Sequence, residues 1–102
     1  IVAGNIGAPF SSYAQTIDSS GVAIVEVSSF QLEHIDTFHP SVSIILNLTP
    51  DHLDRHGTMA AYGEIKGRIC SCQQKGDTFI YPADNTFLAL SDAAEPGQWL
   101  LE

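Results

Sequence analysis

Apolar residues along this chain gather into two short runs, Val22 to Val27 and Val42 to Leu48, interrupted only by Glu26 in the first and by Ser43 and Asn47 in the second, and into a later stripe at helical spacing. Both runs are rich in β-branched residues, which predicts strands. The first starts after Gly21 and stops at the pair Ser28-Ser29, and the second is ended by Pro50. Near-continuous apolarity predicts that the second strand is covered on both faces, as in a parallel sheet.

The stripe consists of Met59, Tyr62, Ile65 and Ile69 and predicts a helix over Thr58 to Cys72 with one face in the core. Lys66 lies one turn beyond Tyr62, with Gly63 and Gly67 beside it. A glycine inside a helix costs about 1 kcal/mol relative to Ala. Close approach of another group to that face is one reading, and a solvated Lys on an amphipathic helix is the other. A further helix is predicted over Ser11 to Ile17, packing Phe10, Tyr13, Ala14 and Ile17 onto the sheet. The remainder reads as scaffold: a turn at Gly76-Asp77, a strand over Thr78 to Tyr81, a helix over Asn85 to Ala93 capped by Asp84 or Asn85, and a strand over Gln98 to Leu101. The fold class is therefore α/β, a mostly parallel sheet flanked by helices.

In open sheets of this class ligands collect beyond the carboxyl ends of the strands. Two such ends carry candidate chemistry. Behind the second run stands Asp51-His52-Leu53-Asp54-Arg55-His56, with five ionisable side chains, and near the end of the first stands Glu26. Burying an unpaired carboxylate is costly, so Glu26 has a cationic partner or reaches solvent. Glu26 and His52 would supply hard oxygen and imidazole to one metal region. Blander readings stand beside this one: Asp51 as the N-cap of a helical turn, Asp54 to His56 as a solvated loop, and Glu26 paired with a Lys or Arg. A self-sufficient hydrolase or phosphoesterase using Asp51, His52, Asp54 and His56 to hold a metal and activate water is an alternative function. A non-catalytic interaction module is a third. His34 and His39 lack a partner at any metal spacing and are left out of the site.

Composition narrows these classes. Twelve acidic residues against four basic ones give a net charge of −8, which argues against nucleic acid. No signal peptide is present, and the longest apolar run is far short of the roughly 20 residues a bilayer requires. Cys70 and Cys72 lie two apart on the predicted helix and so point in different directions, which argues against a mutual disulfide or a shared metal and suggests reduced thiols in a cytoplasmic protein. At 102 residues and 44% hydrophobic, the chain is long enough for one core.

Four segments, in order, resemble the Mur ligase family. They are Gly4-Asn5-Ile6-Gly7, then Glu26-Val27-Ser28-Ser29-Phe30-Gln31-Leu32-Glu33, then Asn47-Leu48-Thr49-Pro50-Asp51-His52-Leu53-Asp54-Arg55, and finally the helix from Tyr62 to Lys66. The likeness is strongest to the branch that adds D-glutamate to UDP-N-acetylmuramoyl-L-alanine through an acyl phosphate in peptidoglycan synthesis. It implies a central ATP-binding domain of P-loop type, with ATP as co-substrate and Mg2+ as cofactor. By that resemblance Glu26 and His52 are metal ligands, joined by Lys66 as a carbamate, with Lys66 and His52 catalytic. Asn5 and Glu26 would bind the nucleotide, and Asn5, Ser28 and Asp51 the substrate. Carbamylation would turn a cation into an oxygen ligand beside metal.

The family's Gly-rich loop ending Gly-Lys-Ser/Thr is not found, because the chain starts immediately ahead of the Asn-Ile-Gly element. The expectation is therefore a partial central domain over residues 1 to 102, without the upstream P-loop strand and helix. Alone it would be inactive and open to self-association through an exposed edge.

Overall fold

Two parallel sheets carry the strands of this protein. The computed structural model describes residues 1–83 and the backbone of 97–101. Strand β1 (Val2–Gly4) pairs with β2 (Ile24–Glu26), with Val2 opposite Ile24 and Gly4 opposite Glu26. Strands β3 (Val42–Ile44), β4 (Thr78–Pro82) and β5 (Gly97–Leu101) form the second sheet in that order. Every pairing is parallel, as expected for the α/β class.

Helices α1 (Ser29–Leu32), α2 (Leu53–His56) and α3 (Met59–Gly67) lie between and beside these strands in sequence. The core is built from Ala3, Leu32, Ile45, Tyr62 and Phe79, all buried. Phe79 also stacks on Tyr81, with ring centroids 4.9 Å apart. Among the described residues no helix is long and apolar enough to cross a membrane.

The strands are shorter than the apolar runs, and one expectation about them fails. Val42 to Leu48 was expected to be covered on both faces, yet Val42, Ile44 and Leu46 are 55%, 48% and 75% exposed while Ser43 and Ile45 are buried. A run rich in apolar residues does not by itself reveal which face is covered, and here burial alternates with the two-residue period of a strand. Residue 45 continues the pairing after the strand, its N–H donating to the Ile80 carbonyl at 2.9 Å.

A buried polar link joins β3 to β4. Gln73 Nε2 donates to the carbonyls of Pro40 and Thr78, both at 2.9 Å, and Gln73 Oε1 accepts from Ser43 Oγ at 2.9 Å. Ser43 and Gln73 are both buried and fully partnered, as such groups must be.

Two predicted helices are corrected. The helix expected over Thr58 to Cys72 is α3 followed by a 3-10 turn over Arg68–Cys70, the common way for a last turn to tighten. Thr58 is its N-cap, accepting from the Ala61 N–H at 3.1 Å. The helix expected over Ser11 to Ile17 is only a 3-10 turn, Phe10–Tyr13, and Phe10 and Ala14 are exposed. There the Thr16 hydroxyl donates to the Tyr13 carbonyl, a local bond that competes with helix continuation. The turn at Gly76 and the strands near Thr78 and Gln98 match expectation within a residue. The helix expected over Asn85 to Ala93 lies outside the described residues.

Both cysteines are free. Cys70 Sγ donates to the Gly67 carbonyl and Cys72 Sγ to that of Asp36. Burial pushes the Cys70 thiol up, which makes it a packing residue rather than a nucleophile.

Candidate functional site

The turn around Asn5 is built on close backbone approach to β2. Gly4 has φ +122° and Gly7 φ +73°, conformations that suit glycine. A Cβ on Gly4 would sit 2.2 Å from the Glu26 carbonyl oxygen. That carbonyl accepts the Asn5 N–H at 2.8 Å, so Asn5 and Glu26 are neighbours through the backbone. Of the two fates open to Glu26, the structure shows solvent exposure, and no ion pair involves it among the described residues.

Two residues beyond Glu26, Ser28 starts α1 with a capping box. Its hydroxyl accepts from the Gln31 N–H at 3.3 Å, while Gln31 Oε1 accepts from the Ser28 N–H at 2.9 Å. The Ser-x-x-Gln spacing that builds this box is visible in the sequence. The cap ties the end of β2, and with it Glu26, to the helix that carries Phe30 and is followed by Glu33.

His52 occupies a left-handed corner, φ 50° and ψ 26°, directly before α2. This conformation is uncommon outside glycine and costs on the order of 1–3 kcal/mol. Asp51 helps fix it: Asp51 Oδ1 accepts the His52 N–H at 2.8 Å, and Asp51 Oδ2 lies 3.4 Å from His52 Nε2. Asp51 is thus not itself the N-cap of the turn; that position belongs to His52.

Four rings and one cation follow from this corner. Phe30 packs edge-on to His52 with centroids 5.0 Å apart and stacks on His56 at 5.6 Å. His56 stacks on Tyr62 at 5.4 Å, and Lys66 Nζ stands 5.7 Å from the centre of the Tyr62 ring. Burial, with the Asp51 carboxylate as a second cause, pushes the Tyr62 phenol above its usual range.

His56 is held from its other side as well. Its Nε2 lies 3.0 Å from Ser29 Oγ and its Nδ1 3.5 Å from Glu33 Oε1. Glu33 Oε2 accepts from Arg55 Nη2 at 3.0 Å, and the Arg68 guanidinium donates to the carbonyls of Glu33 and Ile35. Sequence reasoning missed Ser29, Glu33 and Arg68, since the partners lie 22 to 35 residues apart in sequence. His39, which the sequence places outside the site, meets Asp77 across 38 residues.

These directions bear on the metal. Among the described residues no three His, Cys, Asp or Glu side chains could jointly hold a metal ion. The self-contained hydrolytic site over Asp51, His52, Asp54 and His56 finds no support in this geometry: the His56 side chain is only 3% exposed and meets Ser29 and Glu33. Magnesium, by contrast, is commonly bound through one or two carboxylates with waters and substrate phosphates. An exposed, unpaired Glu26 carboxylate suits that mode, with His52 as a further donor.

A parallel α/β framework with these elements at its strand ends defines a Mur ligase middle domain. The chain belongs to the Mur ligase family, whose middle-domain model matches residues 4–98. Among curated relatives, UDP-N-acetylmuramoylalanine--D-glutamate ligase of Chlorobium chlorochromatii is 54% identical over 86 residues, covering 83% of this chain and 18% of the relative. The ligases of the same name from Lachnoclostridium phytofermentans and Salinibacter ruber are each 49% identical, covering 85% and 83% of this chain and 19% of each relative. The chain thus spans about a fifth of the length of these relatives.

Proposed function

We propose that this chain is part of the central domain of an ATP-dependent amide ligase that adds D-glutamate to UDP-N-acetylmuramoyl-L-alanine in cytoplasmic peptidoglycan precursor synthesis. The observation that carries this reading is roughly half identity to ligases of that name across more than four fifths of the chain. In the whole protein the domain is completed as a P-loop-type nucleotide site, and the chain by itself is inactive.

The reaction is phosphoryl transfer from ATP to the terminal carboxylate of the substrate, then attack of the D-glutamate amine on the acyl phosphate with loss of phosphate. Glu26, His52 and a carbamylated Lys66 would hold magnesium, whose contribution when bound is to offset repulsion between the reacting anions. Asn5 contacts nucleotide or substrate from the turn beside Glu26. Ser28 orients the muramoyl portion and Asp51 the incoming amine. Unmodified, Lys66 holds its Nζ over the Tyr62 ring in a cation–π arrangement. Carbamylation would exchange that contact for an oxygen ligand beside the metal.

The test is a coupled assay on the full-length protein containing this chain. Phosphate release should require ATP, UDP-N-acetylmuramoyl-L-alanine and D-glutamate together. Release that ignores the amino acid, or product formation with L-glutamate in place of D-glutamate, overturns the assignment.

A further inference from the structure

We infer that His56 is a positioning residue of the ligase centre: its ring, clamped between Phe30 and Tyr62, fixes the corner bearing His52 relative to the helix bearing Lys66. The inference rests on the proposed ligase function for its catalytic meaning, though its geometry does not.

Three observations carry it. His56 is a polar side chain only 3% exposed, on a four-residue helix that opens directly from the left-handed His52 corner. A turn that short has almost no stability of its own, so side-chain contacts must hold it. His56 supplies them in two directions, stacking on Phe30 of α1 and Tyr62 of α3 while its nitrogens meet Ser29 and Glu33. Finally, its two ring neighbours are the ones that touch the candidate ligands, since Phe30 packs on His52 and Tyr62 underlies Lys66. Removing the plate would let Phe30 and Tyr62 close the gap, moving both.

The test uses the full-length protein with histidine ring NMR signals, that of His52 assigned by its loss in His52→Asn. In His56→Ala the His52 ring signal should move toward that of a free imidazole as the Phe30 ring shifts. Ligase kcat should fall on the order of 10- to 100-fold, the scale of a small misplacement of reacting groups. His56→Phe keeps the stacked plate and should keep the His52 signal and recover most of the lost kcat. A folded His56→Ala protein whose His52 signal stays in place overturns the inference, as does lost kcat that His56→Phe leaves unrecovered. Should His56→Ala not fold, His56→Phe decides: a retained His52 signal supports the clamp and a displaced one refutes it. Wild-type protein without ligase activity would remove the proposed function, while the NMR comparison still decides the role of His56.

Discussion

The rings of His56 and Tyr62 lie nearly parallel, 15° apart in plane and 5.4 Å apart in centroid, so that an aromatic stack joins α2 to α3. Such a pair contributes about 0.5–1.5 kcal/mol beyond the area it buries and, unlike aliphatic packing, constrains orientation. Helix α3 is thereby held with Lys66 above the same ring.

Substitution of Tyr62 should separate the plate from the phenol. Tyr62→Ala empties a core position and should cost about 3–5 kcal/mol, the range for deleting a buried aromatic ring. Tyr62→Phe keeps the stack and should cost less than about 1.5 kcal/mol. The phenol has a raised folded-state pKa, mainly from burial. Its contribution is present below the unfolded value of 10.0 and is lost as pH rises through the higher folded value. Urea unfolding of both variants between neutral and strongly alkaline pH checks this, and a Tyr62→Phe protein with the same alkaline decline as wild type would contradict it.

At the other strand end, Gly4→Ala should be severe. Positive φ strains an L-residue and the added methyl group would meet the Glu26 carbonyl at 2.2 Å. With backbone on both sides, relief requires β1 and β2 to part, at a cost of at least about 3 kcal/mol. Gly7→Ala has open space around its Cβ and should cost only about 1 kcal/mol, from φ alone. Thermal unfolding of the two variants side by side gives the ranking, and equal melting temperatures would show that the close approach is not real.

These two ends also show what the sequence could and could not reveal. The α/β class and the parallel pairing were legible because strand runs are local signals. The motifs also identified Glu26, His52 and Lys66 as residues worth inspecting. Coverage of one strand face was not legible: Val42 and Ile44 are as apolar as buried residues, and only tertiary contacts decide which side is covered. Nor was the role of His56, which looked like one more charged loop residue. Its partners Ser29, which opens α1, and Glu33, which caps its end, lie far away in sequence, and no periodicity encodes that pairing.

The Asp77 carboxylate should shape the acid limb of stability. The Gln74 N–H bonds its Oδ2 at 2.7 Å and His39 meets the same oxygen, and both hold its pKa below the usual 3.8, the backbone bond first. With the folded value depressed, the stabilisation is present above 3.8 and is lost as pH falls through the lower folded value. Asp77→Asn should flatten that limb and leave stability at neutral pH lower than wild type. Denaturant midpoints followed from neutral to strongly acidic pH test this; an unchanged acid slope in the variant would remove Asp77 from the account.

Gln73 offers the sharpest contrast between losing a contact and stranding one. Gln73→Leu would bury a side chain of similar size but remove both donors to the Pro40 and Thr78 carbonyls and the acceptor of Ser43 Oγ. Each buried polar group left without a partner costs about 1–3 kcal/mol, so the single change should cost at least about 2 kcal/mol. Ser43→Ala strands only Gln73 Oε1 and should cost about 1–3 kcal/mol. The two residues share a bond, so their effects should not add. The double variant should be less destabilised than the sum, because Ala at 43 no longer needs the acceptor that Leu at 73 has removed. A double-mutant cycle by urea unfolding measures that difference, and strict additivity would mean that the Ser43–Gln73 bond contributes nothing to joining β3 to β4.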